Sequence, residues 1–238
     1  MYNKSYEFYD AIYSSQIKDY QAEARQLHDL IQQHKRTTGN TLLDVACGTG
    51  SHIPFLLPHY ILEGLDIEAG MLVVARDKFP DVLFHEADMV DFQLGKQFDV
   101  ITCLFSAIGY VHPTKNLQEA IANMADHLYP GGVLIVEPWI HPEEWRVGHP
   151  SATFVDLPDI KIARMAVSQR EGNMAVMDMH HTVCTTEGVE HFVEVHQLYL
   201  YSHEEYMGAF QAAGLETYHD PTGLIGRGLY VGVKREDR

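Results

Sequence analysis

Two acidic residues and a glycine-containing turn are the first candidates for chemistry. Asp44 lies near the end of an apolar segment, and the following turn, Ala46-Cys47-Gly48-Thr49-Gly50, contains two glycines. Glycine has no Cβ, so such a backbone can approach a ligand closely. Asp66 ends a second apolar segment, where a carboxylate can accept hydrogen bonds from both hydroxyls of a ribose. The pattern therefore predicts a site for a ligand that contains adenosine.

The charge and spacing of the turn distinguish two classes of adenosine cofactor. A dinucleotide site has a third glycine where this chain has Ile53, and that glycine lets a helix N-terminus meet a pyrophosphate. Asp44 also adds negative charge where a diphosphate would lie. S-Adenosylmethionine (AdoMet) has no phosphate and carries a sulfonium and an ammonium. The sequence therefore favours AdoMet, and a redox or non-catalytic protein that binds NAD is the alternative.

Further candidates follow the third and fourth predicted strands. A carboxylate at Asp88 can accept from the adenine amino group while Met89 covers the ring, although Asp88 can also cap a turn. Leu104 follows the fourth strand. Open α/β sheets bind ligands at the carboxyl ends of their strands, so these positions are expected to share one edge.

The elements that must position these residues alternate along the first part of the chain. Apolar residues recur at helical spacing over 17–36, 53–57, 70–79 and 117–128. Strand-like apolar segments lie at 41–46, 61–66, 82–86, 98–104 and 133–137. This alternation predicts βαβ units and a parallel sheet covered on both faces.

A different pattern occupies the segment from about 151 to 201. Three β-rich runs, 160–168, 173–184 and 189–201, are joined by short turns that are typical of antiparallel hairpins. A capping box, Ser202 to Glu205, begins another helix that ends at Gly214, and 228–233 forms a last strand. The second pattern predicts an antiparallel insertion in an α/β core.

The composition excludes several classes of protein. The 238 residues carry 17 Lys+Arg against 33 Asp+Glu, a net charge of −16, which opposes binding to nucleic acid, RNA included, and to anionic membranes. The apolar runs are too short for a membrane helix, and the N-terminus lacks a signal-peptide pattern. Three separated cysteines favour neither disulfides nor a cysteine zinc site. We therefore expect a cytoplasmic protein.

The segment 44–50, Asp66, Asp88-Met89 and the turn 128–132 resemble the landmarks of class I AdoMet-dependent methyltransferases. Within that class, the chain resembles the TDP-amino-sugar N,N-dimethyltransferases of desosamine and mycaminose biosynthesis. The segments that carry this closer resemblance are 18–20, 42–50, 105–109, 136–139, 170–173 and 226–229. It extends nearly end to end.

The resemblance implies a fold, a domain division and a reaction. The fold is α/β, a Rossmann-like, mostly parallel, seven-stranded sheet with an inserted antiparallel β flap. Residues 1–142 and 203–238 form the AdoMet-binding core, and 143–202 form the flap over the substrate pocket. The reaction is N-methylation of a nucleotide-linked (TDP) 3-amino-deoxy sugar, with two rounds giving a dimethylamine. Methylation of another small-molecule amine, carboxylate or hydroxyl is the alternative.

The resemblance, together with the patterns above, implies the site residues. Tyr2 and Tyr110 lie beside the sugar amine as catalytic residues; some members have His at the position of Tyr110. Glu137, Trp139 and Arg227 bind the substrate, with Arg227 on the diphosphate. The cofactor-binding residues are Tyr9, Tyr20, Asp44, Ala46, Cys47, Gly48, Gly50, Asp66, Asp88, Met89 and Leu104.

Methylation of an amine requires a free lone pair, so one proton must leave for each methyl added. A phenol with an ordinary pKa near ~10 is a poor base at neutral pH. We therefore expect proton loss to water or to a phenol-linked chain rather than to a dedicated base.

Four histidines, His180, His181, His191 and His196, flank one predicted hairpin turn. Adjacent residues of a strand point to opposite faces, so this spacing favours a surface hairpin over a metal site, and no metal is expected. The sequence leaves the oligomeric state open. A homodimer is one outcome, since the antiparallel insertion can supply a sheet edge for pairing.

Overall fold

The computed structural model describes residues 4–13 and 18–236, and within these ranges eleven strands form two sheets. The strands are β1 (Thr41–Val45), β2 (Ile61–Asp66), β3 (Leu83–Glu86), β4 (Phe98–Cys103), β5 (Leu128–Val136), β6 (Pro150–Asp156), β7 (Ile160–Glu171), β8 (Met174–Thr185), β9 (Gly188–Tyr199), β10 (Leu215–Asp220) and β11 (Leu229–Lys234). The helices are α1 (Tyr9–Ile12), α2 (Tyr20–His34), α3 (Ile53–Leu56), α4 (Ala69–Lys78), α5 (Thr114–Asp126) and α6 (His203–Ala212), and two short 3₁₀ turns cover Ser5–Phe8 and Ala107–Tyr110.

Seven strands form the core sheet, in the order β10-β11-β5-β4-β1-β2-β3, among the described residues. β1 to β5 are parallel, and β11 is antiparallel to both of its neighbours. The predicted sheet, seven-stranded and mostly parallel, is confirmed. All six residues of β4 are buried, as expected for a strand whose two faces are both covered.

Two helical layers cover the core sheet. α2, α3 and α4 pack on one face, where Leu27, Ile31 and Leu72 are fully buried. α5 and α6 pack on the other, where Ile121 and Phe210 are fully buried. α6 begins with the predicted capping box: Ser202 Oγ accepts from Glu205 N, and the Glu205 carboxylate accepts from Ser202 N.

Four strands, β6 to β9, form a separate antiparallel sheet, called the flap here. Its inner face is buried against the core and includes Ile162, Met177, His196 and Leu198. Its outer face exposes Phe154, Met165, Val167, Val193 and Val195. The pleat of the strands therefore separates a buried face from an exposed apolar face.

Three boundaries differ from the predictions. β6 and β10 were not predicted as strands, because both are edge strands with few buried residues and therefore lack an apolar pattern. Leu128 was predicted to end a helix but begins β5, whose pairing with β4 shifts register next to the Pro130–Gly132 turn. α2 begins at Tyr20 rather than at residue 17, because the Asp19 carboxylate caps it by accepting from Ala22 N at 2.9 Å.

The N-terminal segment, residues 4–13, contacts both sheets. Ile12 packs with Val155 and Val183 of the flap. On the core side, Asp10 Oδ1 accepts from Thr49 Oγ1 at 2.6 Å, and Asp10 Oδ2 pairs with Lys78 Nζ at 2.6 Å. The segment therefore links the flap to the turn after β1. In the described ranges, no helix is long and apolar enough to cross a membrane.

Candidate cofactor and substrate site

Three adjoining cavities lie along the carboxyl edge of the core sheet. The one beside Tyr9 and Met89 encloses about 570 Å³ of empty space including its mouth, within the ~300–1,000 Å³ of small-molecule sites. It shares Ala46 and Asp66 with a second cavity and Ala46 and Gly48 with a third. Among the predicted cofactor-binding residues, those that line one or more of the three are Tyr9, Tyr20, Asp44, Ala46, Cys47, Gly48, Asp66, Asp88, Met89 and Leu104.

The turn after β1 uses its two glycines differently. Ala46 and Gly48 both adopt positive φ, 56° and 57°, and a Cβ at Gly48 would meet nothing within 4 Å. Gly48 therefore leaves open space toward the cavity. Gly50 lines none of the three cavities, and a Cβ there would come 2.8 Å from Ile53 Cδ1. Its φ of 78° and its packing against Ile53 give Gly50 a structural role, and its contact with the cofactor stays a prediction.

Asp66 closes the turn from the end of β2. Its Oδ2 accepts from Gly48 N at 2.7 Å and its Oδ1 from Glu68 N at 2.9 Å. Burial raises the pKa of Asp66, although these backbone donors oppose the rise. A carboxylate has about four acceptor positions, so Asp66 keeps capacity for the two ribose hydroxyls of a bound adenosine.

Asp44 lies deeper, beneath the third cavity. Its Oδ1 accepts from Thr102 Oγ1 at 2.8 Å. Burial raises its pKa to about 6, with His52 and the Thr102 hydroxyl opposing and Asp66 adding to the rise. A buried carboxylate of this kind gains from a cation brought next to it.

The residues fit AdoMet better than a dinucleotide. No Lys or Arg is among the described residues that line the three cavities, so a diphosphate would find no cationic partner there. Asp44 and Asp66 instead provide negative charge that suits a sulfonium and an ammonium. Ile53 is fully buried in the core, which leaves no room for the close helix approach of a dinucleotide fold.

Asp88 and Met89 lie at the far end of the site, after β3. Both line the second cavity, and Met89 also lines the first. Asp88 is exposed, its Oδ1 accepts from Val90 N at 3.0 Å, and its carbonyl accepts from Phe92 N at 3.1 Å. Asp88 therefore caps a turn, the alternative considered from the sequence, and still presents its carboxylate at the cavity wall.

A buried charged cluster that the motifs did not indicate supports Tyr20 at the opposite end. Lys18 Nζ lies 2.6 Å from Glu23 Oε2, and His52 Nε2 lies 2.9 Å from the same oxygen. The Tyr20 ring meets the His52 ring edge to face at 4.9 Å, and burial raises the pKa of the Tyr20 phenol. The tyrosine is therefore held against the cavity as a neutral group.

The three predicted substrate-binding residues form one cluster beside Phe105 and Ser106. Glu137 is fully buried, and its Oε2 accepts from Phe105 N at 2.5 Å; burial raises its pKa. Arg227 Nη1 donates to Ser106 Oγ at 2.8 Å, and its guanidinium carbon lies 4.6 Å from the Trp139 ring centre. Glu137 Oε1 and Trp139 Nε1 are buried and have no hydrogen-bond partner in the described chain.

Phe105 and Ser106 connect this cluster to the cofactor cavities. Both adopt positive φ, 53° and 62°, which is uncommon for residues other than glycine. Phe105 lines the first and third cavities, while the Ser106 hydroxyl donates to Pro138 O at 2.7 Å. Backbone conformation of this kind has no sequence signal, since neither residue is a glycine.

Of the two predicted catalytic tyrosines, Tyr2 lies outside the described residues. Tyr110 lines the first and second cavities, and its hydroxyl lies 2.7 Å from Nδ1 of His196 in β9. Sequence analysis did not place His196 in the site, because it grouped this residue with the histidines of a surface hairpin. The prediction of a surface hairpin is wrong for two of the four histidines, because His181 and His196 are 1% exposed on the inner face of the flap. Within residues 4–13 and 18–236, no His, Cys, Asp and Glu side chains gather as a metal-binding group.

The chain is similar in sequence to known methyltransferases. Residues 42–132 match a family described as a methyltransferase domain. The chain is 42% identical over 233 residues to dTDP-3-amino-3,4,6-trideoxy-α-D-glucopyranose N,N-dimethyltransferase of Streptomyces venezuelae, which covers 95% of this chain and 96% of that protein.

Solved structures give the same relationship. The crystal structure of Streptomyces venezuelae DesVI superimposes with a TM-score of 0.91 at 42% identity, covering 96% of this chain and 97% of that one. The structure of SAM-bound CalS10, an amino pentose methyltransferase from Micromonospora echinaspora, superimposes with a TM-score of 0.85 at 36% identity and covers 98% of both chains.

Proposed function

Because this chain belongs to the AdoMet-dependent methyltransferases, in the family of the dTDP-amino-sugar N,N-dimethyltransferases, we propose that it methylates the amine of a dTDP-linked 3-amino-deoxy sugar twice. The observation that carries the proposal is the extent of the relationship. At 42% identity it covers 95% of the chain, so it includes the flap and the cluster around Arg227 as well as the cofactor-binding core.

The cofactor end of the site is assigned to a small group of residues. Bound AdoMet would supply a methyl group attached to a sulfonium, and loss of the methyl would turn the sulfonium into a neutral thioether. Asp66 would accept from the ribose, Met89 would cover the adenine, and Asp44 would offset the positive charge of the cofactor. Since the methyl is already activated, the chain's contribution is to orient the acceptor and to exclude water.

The acceptor end is assigned to the Glu137, Trp139 and Arg227 cluster. The guanidinium of Arg227 uses one of its five N–H donors on Ser106, which leaves donors for a diphosphate. Glu137 Oε1 and Trp139 Nε1 need partners in their buried setting, and hydroxyls of a sugar ring would supply them. The 3-position of the amine follows the sugar named for the Streptomyces venezuelae relative.

Residues 143–202 are proposed to close the acceptor pocket over the core formed by 1–142 and 203–238. Met177 and Leu198 of the inner face pack with Tyr110 and Trp139, one predicted catalytic and one predicted substrate-binding residue. The flap therefore contributes a wall to the place where amine and methyl meet.

Product mass spectrometry tests the function. The purified chain is incubated with excess AdoMet and a dTDP-3-amino-3,6-dideoxyhexose, and the product is scored for added methyl groups. Two methyl groups support the proposal, and one at exhaustive AdoMet overturns dimethylation. If no methyl is transferred although calorimetry detects AdoMet binding, the dTDP amino sugar is not the acceptor. Another small-molecule amine, carboxylate or hydroxyl is then favoured.

We propose further that the enzyme acts in the cytoplasm as a homodimer joined through the outer face of the flap. That face exposes Phe154, Met165, Val167, Val193 and Val195. Because each chain carries a net charge of −16, two copies meet with least repulsion at a mainly apolar surface. The three free cysteines suit a reducing compartment.

Light scattering with size exclusion tests the dimer. Val193→Glu is expected to give a monomer, because it buries two like charges in an isologous contact. Val73→Glu is the matched control, since Val73 is equally apolar and 63% exposed on α4, away from the flap. A wild-type monomer, or a dimer that survives Val193→Glu, overturns this interface.

A further inference from the structure

A phenol, an imidazole and a carboxylate stand in line behind the first cavity. The Tyr110 hydroxyl, at the cavity wall, lies 2.7 Å from His196 Nδ1. The other ring nitrogen, Nε2, lies 3.9 Å from Glu194 Oε2. We propose that Tyr110 and His196 form a relay that takes one proton from the substrate amine before each methyl transfer, with Glu194 positioning His196; this rests on the proposed function.

The contacts of Glu194 fix its charge. Its Oε1 accepts from Lys4 N at 2.9 Å and from Ser5 N at 3.1 Å, and Ser5 Oγ donates to Oε2. Burial alone would raise the pKa of Glu194, but interactions with His196, Ser5 and Lys4 lower it to about 2. Glu194 is therefore an anion throughout the working pH range.

The anion sets the orientation of the relay. A carboxylate near Nε2 favours the tautomer with its proton on Nε2, so Nδ1 is left as an acceptor. The 2.7 Å contact is then a hydrogen bond in which the Tyr110 hydroxyl donates to His196 Nδ1. An imidazole whose Nδ1 accepts from a phenol, with a carboxylate near its other nitrogen, is arranged to take a proton.

The proton balance of the step is complete. An N–H bond of the substrate ammonium breaks, and the proton forms a bond to Tyr110 Oη. The proton that Oη already held moves to His196 Nδ1, so a cationic ammonium becomes a neutral amine and a neutral imidazole becomes an imidazolium. Glu194 offsets the new charge. When the product leaves, the proton returns through Tyr110 to water.

The elements that neighbour His196 carry further charged or titratable groups. His181 of β8 and Arg164 of β7 lie on the same face of the flap, and Arg164 Nη1 donates to Tyr13 Oη at 2.7 Å. Burial lowers the pKa of His181, so it adds little positive charge near neutral pH. Lys4 pairs with Glu190 through Nζ. Among the residues that the structure describes, Glu194 is the carboxylate that pairs with the His196 ring.

The pH dependence of kcat tests the relay. His196→Gln keeps an acceptor for Tyr110 but cannot become a cation, and kcat at pH 7 is expected to fall at least ~100-fold. In this variant kcat should rise about tenfold per pH unit toward the pKa of the amine, while the wild-type profile levels off at lower pH. His180→Gln, on the adjacent strand but the outer face, is the control and should keep the wild-type profile.

The outcomes separate the relay from the proposed function. A His196→Gln profile that is parallel to that of the wild type, or an unchanged kcat at pH 7, overturns the relay. Either result leaves the proposed amino-sugar substrate unaffected. A wild-type chain without turnover overturns the acceptor and the relay together. Glu194→Gln should shift the profile in the same direction as His196→Gln but less, because the imidazole remains.

Nitrogen-15 NMR of the protein without substrate gives a second readout. The His196 ring is expected to carry its proton on Nε2, and Tyr110→Phe should move the Nδ1 resonance of His196 toward that of a nitrogen without a hydrogen bond. A neutral ring protonated on Nδ1 contradicts the proposed direction of transfer, whatever the activity.

Discussion

The core sheet and the flap present their candidate functional residues in different ways. In the core, Asp66, Asp88 and Leu104 follow strand ends, where turns release them toward one edge of the sheet. In the flap, Glu194 and His196 lie within β9, two residues apart on its inner face. A residue at a strand end can be identified from the local sequence around it. The role of a residue within a strand depends on which residues of other elements pack against its side of the sheet.

The largest expected effect lies at a strand end. Asp66→Ala removes the acceptor for Gly48 N and Glu68 N as well as the proposed ribose contact, so the Kd for AdoMet should rise about 100- to 1,000-fold, ~3–4 kcal/mol, by calorimetry. Asp88→Ala, an exposed carboxylate at the same edge, should change the Kd less than ~10-fold. Equal losses would contradict the difference in role between the two acids.

The two faces of the flap should differ in their contribution to stability. Leu198→Ala opens a cavity on the inner face, where the side chain is 4% exposed, and should lower the free energy of unfolding by ~2–4 kcal/mol in urea. In a chain kept monomeric by Val193→Glu, Val195→Ala, on the same strand but 53% exposed, should change it by less than ~0.5 kcal/mol. A large loss for Val195→Ala in this monomer would mean that the outer face is packed within the single chain.

Arg227 joins the two regions, since it lies just before β11 of the core and packs on Trp139, which contacts Met177 and Leu198 of the flap. Arg227→Ala should raise KM for the dTDP sugar ~30-fold, ~2 kcal/mol, with little change in the Kd for AdoMet. The KM of Arg227→Lys should lie between those of the wild type and Arg227→Ala, because lysine keeps the positive charge but lacks the planar guanidinium. Arg36→Ala, a surface arginine paired with Glu216, is the control. An unchanged KM in Arg227→Ala would mean that Arg227 packs on Trp139 but does not bind the dTDP sugar.

The smallest effect is on the pH dependence of AdoMet binding. The pKa of Asp44 is raised to about 6, so the residue is an anion above that pH and neutral below it. Because a cation gains only from the ionised form, the Kd for AdoMet should rise about tenfold per pH unit below 6 and stay flat above 7. Asp44→Asn should bind more weakly at pH 7 and lose this dependence. A wild-type Kd that is constant from pH 5 to 7 would contradict it.

The sequence predicted the core better than the flap. The acids at 44 and 66 come with the strand–turn–helix pattern that places them, so their position on adjoining cavities could be anticipated. Edge strands β6 and β10 could not be found, because an edge strand buries too little to show alternation. The role of Gly50 could not be read from the sequence, because a glycine required by packing against Ile53 has the same sequence signature as one that faces a ligand.

The residues that sequence analysis missed share one physical reason. His196 meets Tyr110 across 86 residues, and Ser5 meets Glu194 across 189. Such pairs depend on the register of the flap and on its docking against the core, neither of which is encoded in a local motif. Phe105, whose backbone is left-handed, likewise donates its N–H to Glu137, 32 residues along the chain.

The double attachment of residues 4–13 has a kinetic consequence. Tyr9 lines the cofactor cavity, while Ser5 holds Glu194 and Asp10 holds Thr49. Displacing Tyr9 to replace the spent cofactor between rounds therefore also loosens the contact that keeps the flap against the acceptor. Dimethylation is then expected to be distributive rather than processive, with the monomethyl sugar accumulating in solution early in a time course. A dimethyl product formed from the start, while substrate is in excess, would show that the cofactor leaves without disturbing the flap.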